Sequence, residues 1–496
     1  MKIFLVNPNS TLIEKSPAYK RFFTPIAPLG LAYLAGTLEK NNIQVYLIDQ
    51  FAAKMSDEAL LELIKKEDPK LIGFSGLTPL INDITRLSKK IKTLDDRYKI
   101  VLGNIHPSCF PEETIKETSA DIVVRGEGEE TLLELCNCLK NNQPLKDIKG
   151  LSFRQKDNII HNPDRPLIED LDTLPLPSWH LLNLELYKES PLVAIKNALA
   201  LPILASRGCS YHCYYCSQDQ IYPKMRYRKT EKVIEEIEYF NKKFQTGFFG
   251  FCDAFFPHSE ETGLDFCEQI QQKGLHQKIK WFTETRVDKV NPKLLKAMKA
   301  SGAHLIMYGI EVGNNDILKK IHKNTTLQQA YQALKETRKA GILSQGLFIL
   351  GLPGETKETC EETIRFAQTL DCDIAKFNLA TPYPGSRFFK DYFQDKKISS
   401  PEAFTSWLDW TNFSGDLVYT PEEMTSELLK AMQRKAMLKF YFRPKIIFRH
   451  LFIIRSFGVK NIFLGALWLI SLVSATLIKR KNLLKPKKKN ESYCSN

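Results

Sequence analysis

Cys209-Ser-Tyr-His-Cys213-Tyr-Tyr-Cys216 places three cysteines within eight residues, spaced CxxxCxxC. Three thiolates on one loop can hold three of the four irons of a cubane cluster and leave the fourth open to a small molecule. A structural zinc site asks instead for four closed ligands, usually from two separated pairs. The neighbouring cysteines along the chain are the distant Cys138 and Cys252, so His212 would have to be the fourth ligand. The spacing alone therefore argues for a three-thiolate metal site, a cluster or, if His212 closes it, zinc.

The loop must be carried by a scaffold. Residues 196–390 alternate strand and helix signals, with strands at Leu201–Ala205, Gly247–Cys252, Lys280–Thr285, His304–Gly309, Ser344–Leu350 and Ile374–Leu379. Six parallel strands with helices outside them form an open α/β barrel, and chemistry collects at the carboxyl ends of such strands. Those ends hold the cysteine loop, Asp253, Arg286, Glu311, Gly351-Leu-Pro-Gly-Glu355 and Thr381-Pro-Tyr-Pro-Gly385. Asp253 and Arg286 also read as paired structural charges. Glu311 follows an apolar strand, where a carboxylate needs a cation or a hydroxyl beside it.

Residues 1–140 repeat short apolar runs (Ile3–Val6, Val45–Ile48, Leu71–Ser75, Ile100–Leu102, Ile122–Val124) with amphipathic helices between them. This pattern predicts a doubly wound, Rossmann-like parallel sheet, which takes ligands outside the carboxyl ends of its strands. Asn7-Pro-Asn9, Ser75-Gly-Leu-Thr78, Gly103-Asn-Ile-His106 and Arg125-Gly-Glu-Gly-Glu129 all fall there. Ordinary turns also favour Gly and Asn, but four such loops on one edge point to a site.

With Tyr215 just before its last cysteine, the motif resembles the radical S-adenosylmethionine (SAM) superfamily. Met307-Tyr-Gly-Ile-Glu-Val-Gly313, Phe348–Thr356 and Thr381–Gly385 are similar to strand-end motifs of that family. The resemblance implies a 4Fe–4S cluster on Cys209, Cys213 and Cys216, Tyr215 beside the SAM adenine, and SAM contact by Glu311. Phe251-Cys-Asp-Ala-Phe255 departs from the family's paired acids, because Ala254 replaces one, and leaves Asp253 as the single acid expected at the SAM site there. Val101–Ser108 and Val124–Glu129 resemble the cobalamin-binding domain that precedes some radical SAM domains. That resemblance makes Ser75, Thr78, Gly103, His106, Gly126 and Glu127 expected cofactor residues. The DxHxxG pattern that supplies histidine to cobalt is absent. The implied chemistry is modification of an unactivated carbon, by methyl transfer or, as the alternative, by oxidative cyclisation of a tetrapyrrole-like substrate. A flavodoxin- or ferredoxin-type reductant is implied. An RNA methylthiotransferase would carry a second cysteine set, which Cys109, Cys136 and Cys138 do not supply. A non-catalytic cobalamin or redox sensor would not cleave SAM.

Charge is uneven. The net charge is +13, yet residues 434–496 carry fifteen Lys and Arg and one acid, Glu491, so the remainder is nearly neutral. That distribution speaks against a nucleic-acid surface. Eleven cysteines with no signal peptide fit a reducing cytoplasm. Residues 141–195 read as a connector, with two short strands around Lys156–Asn158 and a proline-punctuated Leu174–Ser178. Residues 391–442, with Trp407, Trp410 and Phe413, read as a cap. Residues 443–496 read as a basic, apolar helical tail. Ile462–Ile478 within it is seventeen residues without a charge, at the lower limit for a bilayer span, and Lys485–Lys489 follows. Basic residues beside apolar helices suit an anionic membrane surface at its inner face. Such a tail is consistent with a lipid-like or other small-molecule substrate.

Overall fold

The computed structural model describes residues 1–11, 25–188, 199–394 and 417–450. Trp407, Trp410, Phe413, Ile462–Ile478 and Lys485–Lys489 lie outside the described residues.

The amino-terminal sheet begins with β1 (Lys2–Asn7), β2 (Gln44–Asp49), β3 (Leu71–Ser75), β4 (Lys99–Gly103) and β5 (Ile122–Val124), in the order β2-β1-β3-β4-β5 and all parallel. Helices α1 (Leu29–Lys40), α2 (Asp57–Glu67), α3 (Ile81–Leu94), α4 (Ile105–Cys109), α5 (Pro111–Glu117) and α6 (Glu129–Lys140) connect them. Both faces are covered, so the strands are continuous apolar runs. Ile3 and Leu5 pack on one face, Phe4 and Val6 on the other. In α3, Ile81, Ile84, Leu87 and Ile91 repeat at helical spacing and are all buried. The chain reverses direction between β1 and β3, and the crevice at such a switch point is where doubly wound sheets take ligands.

The connector's hairpin, β6 (Leu151–Gln155) and β7 (Asn158–His161), extends this same sheet antiparallel to β5. Alternation in so short a hairpin does not reveal which edge it will join.

The second sheet is the open barrel. Strands β8 (Ala200–Ile203), β11 (Phe248–Phe251), β12 (Lys280–Thr285), β13 (Ala303–Glu311), β14 (Leu343–Leu350) and β15 (Ile374–Leu379) are parallel and neighbour one another in chain order. Between β8 and β11 lies a separate ribbon, β9 (Ser206–Arg207) with β10 (Arg226–Tyr227). Phe251, Phe256, Phe266 and Trp281 interlock under the helices, with Phe251 stacked on Phe256 at 3.9 Å. Each such buried ring contributes about 1.5–3 kcal/mol.

A helix that begins beyond the barrel, α13 when the barrel's α7 (Thr230–Phe244), α8 (Glu260–Gln272), α9 (Pro292–Ala300), α10 (Asn315–Lys320), α11 (Leu327–Lys339) and α12 (Lys357–Thr369) are counted, spans Ser426–Tyr441 and covers the edge strand β15. Tyr441 Oη accepts from Ala375 N–H (3.2 Å) and donates to Ala375 C=O (2.9 Å). Gln433 donates to Phe377 C=O at 2.7 Å. Side chains thus satisfy backbone groups that an open edge would expose.

The tail, expected to separate at residue 443, starts as part of this body. Helix α14 (Pro444–Phe448) follows directly, Arg449 pairs with Asp371, and His450 meets Asp373 C=O at 3.0 Å. The acids of the α12–β15 turn hold it, a contact that local composition does not encode. Among the described residues no helix is long and apolar enough to cross a membrane.

Candidate active site

The cysteine loop leaves β9 through Gly208, whose φ is +95°. A Cβ there would lie 2.2 Å from Lys224 C=O, so only glycine fits. The loop is then held by its three tyrosines. Tyr211 lies under the Arg286 guanidinium, 3.6 Å from ring centroid to Cζ. Tyr214 stacks on Phe388 at 5.6 Å, and its N–H donates to Ile321 C=O. The Tyr215 hydroxyl lies 3.4 Å from Lys323 Nζ. Cys216 N–H closes a turn onto Cys213 C=O at 3.0 Å. Cys209 and Cys213 are half-buried and Cys216 is exposed. Burial pushes the Cys213 thiol up, with Lys323 opposing it. Among the described residues no three His, Cys, Asp or Glu side chains close into a metal cage. The fit to a cluster rests on the donors themselves: three soft sulfurs on one anchored loop, at the carboxyl end of the barrel, with a cation alongside.

That cation is Lys323. Its Nζ stands 2.6 Å from Glu311 Oε1, and both side chains are buried. Burial lowers the Lys323 pKa, but the Glu311 carboxylate and Cys213 outweigh it and hold the ammonium above the usual lysine value. Glu311 thus faces a cation, one of the two partners expected for it, and through Lys323 it also meets the Tyr215 hydroxyl. A register shift between β13 and β14 at Gly309/Glu311 and a φ of +70° aim it inward. Gly309 leaves the room: a Cβ there would lie 2.6 Å from Glu311 Oε1 and 2.7 Å from Lys323 Nζ. Arg286 donates to Lys323 C=O (2.9 Å) and pairs with Asp288, not with Asp253.

Asp253 turns under the loop. Its carboxylate accepts from Ala205 N–H at 3.1 Å and Ser206 Oγ at 2.5 Å. It braces the bend between β8 and β9, and both oxygens are engaged there. Burial pushes its carboxyl up to about 7, against those hydrogen bonds. The folded group then binds its proton more tightly than the unfolded one, so its contribution to stability is greatest below the unfolded pKa and is lost as pH rises toward 7. Asp253→Asn is expected to remove this dependence: its melting temperature should gain on the native protein's between about pH 5 and about pH 7. A constant difference across that range would place Asp253 in the ordinary carboxylate range. Glu355 folds back to accept from Leu352 N–H at 2.8 Å, so Gly351–Glu355 is a self-capped turn.

On the amino-terminal sheet, three of the carboxyl-end loops are stitched into one rim. Asn104 Nδ2 donates to Ser75 Oγ (2.9 Å), Gly76 N–H to Gly103 C=O (2.8 Å), and Gly126 N–H to Ser108 Oγ (3.1 Å). Ser75, Gly103 and Gly126 remain partly accessible. A Cβ built on Gly126 meets nothing within 4 Å, and Leu77 on the same rim is 44% exposed. An open glycine backbone beside an exposed leucine fits the broad, partly apolar face of a corrin.

Three expected cofactor residues, Thr78, His106 and Glu127, are placed otherwise. His106 is 1% exposed, with Nδ1 3.3 Å from the equally buried Thr78 Oγ1 and its ring edge-on to Phe110. Burial pushes its pKa down to about 3, so it is a neutral brace beneath the rim. Glu127 is also internal. Its oxygens accept from Arg207, Arg226 and Ile168 N–H, which leaves them no capacity for a ligand.

No sequence motif sets Lys323, Arg207 and Arg226 apart from surface cations. The barrel's inner face adds Glu284 and Lys376, which alternate with the buried outer positions of β12 and β15. Both are open to solvent within the barrel, and the protein around them raises Glu284, with Glu311 adding to the effect, and lowers Lys376.

Residues 21–136 match the B12 binding domain family and residues 203–367 the radical SAM superfamily. The chain is 35% identical to an uncharacterised methyltransferase of Pyrococcus horikoshii, across 94% of this chain and 98% of that one. It is 32% identical to the anaerobic magnesium-protoporphyrin IX monomethyl ester cyclase of Cereibacter sphaeroides over 73% of this chain, spanning 60% of that enzyme. Its fold is similar to a radical S-adenosylmethionine methyltransferase of Kitasatospora setae solved with cobalamin and a 4Fe–4S cluster bound. The TM-score is 0.70 at 18% identity, covering 90% of this chain and 91% of that one.

Proposed function

This chain belongs to the radical SAM enzymes that carry an amino-terminal B12-binding domain, and from that premise we propose that it transfers a methyl group to an unactivated carbon of a small, apolar substrate. The observation that carries the reading is the match to a methyltransferase along nearly the whole of both chains. When bound, the cluster supplies the electron that cleaves SAM and the corrin carries the methyl group to be transferred. Cys209, Cys213 and Cys216 hold the cluster. Tyr215, Glu311 and Lys323 form the polar floor beside it, and Asp253 braces the loop from below. Ser75, Leu77, Gly103 and Gly126 receive the corrin. Glu284 and Lys376 line the barrel interior, where the substrate would lie.

The test is anaerobic reconstitution with iron, sulfide and hydroxocobalamin, followed by reduction and addition of SAM. Retained corrin absorption, with both S-adenosylhomocysteine and 5′-deoxyadenosine formed, is the expected result. Deoxyadenosine alone, without retained corrin, would remove methyl transfer. The identity to the cyclase favours oxidative cyclisation as the second reading. A product heavier by one methylene, as opposed to one that has lost hydrogen and gained oxygen, separates the two.

We also propose that the carboxyl-terminal segment docks on an anionic membrane surface. Phe442, Ile447 and Phe448 are exposed large apolar residues beside Arg443 and Lys445, where the chain runs into its most basic stretch. Each basic residue at such a surface is worth about 1 kcal/mol. Truncation after His450, which spares the contacts of Arg449 and His450, is expected to weaken flotation with phosphatidylglycerol vesicles sharply, and Phe442→Ser with Phe448→Ser in the truncated protein to abolish it. Undiminished flotation would sink the anchor and leave the cluster argument standing.

A further inference from the structure

Four charges are buried where the amino-terminal domain meets the barrel: Glu127 and Glu129 on one side, Arg207 and Arg226 on the other. Arg226 forks onto Glu127 with both Nη atoms, at 2.8 and 3.0 Å, and Arg207 Nη1 adds a third bond at 2.9 Å. Arg207 also pairs with Glu129. The rings of Tyr33 and Tyr222 lie 5.7 and 5.8 Å from the Arg207 guanidinium. Arg207 and Arg226 are themselves cross-strand partners in the β9–β10 ribbon. Removing four charges from water is costly, and an apolar cluster of the same volume would hold two domains together as well. What an apolar cluster lacks is direction. A bidentate arginine–carboxylate pair fixes both distance and angle.

Position in the chain gives that direction a use. Glu127 adjoins Gly126, whose backbone lies open on the rim. Arg207 adjoins Gly208 and stands two residues before Cys209. We propose that Glu127 is a positioning residue that ties the rim to the cysteine loop through Arg207 and Arg226, so that a corrin on the rim orders the loop that holds the cluster. The coupling is reciprocal, because linkage between two binding sites always is. The inference rests on the reading that the rim takes a corrin.

Hydrogen exchange of the full-length apo-protein, with and without hydroxocobalamin in anaerobic buffer, tests it without turnover. The corrin is expected to slow exchange in residues 75–78, 103–108 and 125–128, and also in 206–216. In Glu127→Gln the rim should keep its protection while segment 206–216 loses its own by about tenfold. Arg226→Lys, which keeps the charge but not the fork, should fall between the two, and carries the test if a thermal melt shows Glu127→Gln unfolded. Equal protection of 206–216 in the native protein and the folded variants overturns the proposal. Corrin affinity of Glu127→Gln should fall by about the same tenfold, as reciprocity requires, and a fall beyond about a hundredfold, which would put Glu127 on the ligand itself, also overturns the proposal. No protection of the rim in the native protein overturns the corrin reading, and the proposal with it.

Discussion

Cys213→Ala is expected to abolish the cluster absorption of the reconstituted protein and to reduce SAM cleavage by at least about 10³-fold, since the cofactor carries the chemistry and the protein only places it. The loop itself should survive. It is anchored by Tyr211 on Arg286 and Tyr214 on Phe388, neither of which involves the Cys213 sulfur. The stability cost of losing one half-buried thiol is then about 1 kcal/mol. Two thiolates on the remaining loop cannot hold three irons. Cys138→Ala, in the amino-terminal domain and far from the loop, is the control and should retain both signals. Iron and sulfide content with a quantified deoxyadenosine assay reads the result. A Cys213→Ala protein that still binds a cluster and cleaves SAM would remove the three-thiolate assignment.

Lys323→Met is expected to lower stability by about 3–5 kcal/mol, because it leaves the Glu311 carboxylate buried without its cation. At about 2.1 cal/mol/K per residue, a chain of 496 residues unfolding as one unit would lose roughly 3–5 °C in melting temperature. Glu311→Gln should cost comparably, for it strands the ammonium instead. The double variant Lys323→Met/Glu311→Gln is expected to recover much of the loss, since neither site then holds a lone charge. Recovery of SAM affinity is not expected with it. Tyr215 would remain without the polar partners that fix it, and the cluster loop without the cation beside Cys213. Thermal melts together with equilibrium binding of SAM to the reconstituted variants separate the two effects. Stability and SAM affinity rising together in the double variant would make the pair a packing feature and nothing more.

The cysteine motif was legible because its three candidate ligands lie within eight residues, and the chemistry of three soft donors does not depend on the rest of the chain. Both sheets were legible for a related reason. Strands buried on both faces must be apolar throughout, so β3 and β5 stand out as runs, while β12 and β15 stand out by alternation, with polar Glu284 and Lys376 between buried positions. Glu311 was legible as a carboxylate that needed a partner, because an apolar strand leads straight into it.

What the sequence could not give was the partner. Lys323 is one lysine among many until the fold brings it 2.6 Å from Glu311. Glu127 sits in a glycine-rich loop of the kind that meets ligands, and only the arrival of Arg207 and Arg226, 80 and 99 residues later, turns it inward. His106 follows the same rule in reverse, since packing around Phe110 and Thr78 excluded the water it would need to act as a surface ligand. The helix at Pro444–Phe448 belongs to the barrel because Asp371 and Asp373 stand where Arg449 and His450 arrive. By itself, then, the sequence determined the candidate ligand set, the fold class and the edge of each sheet at which chemistry is proposed, all of which rest on local spacing and on apolar periodicity. The tertiary structure alone decided which charges are spent on one another. Charge pairing acts across space at any sequence separation, and a side chain's charge says that it needs a partner without saying which.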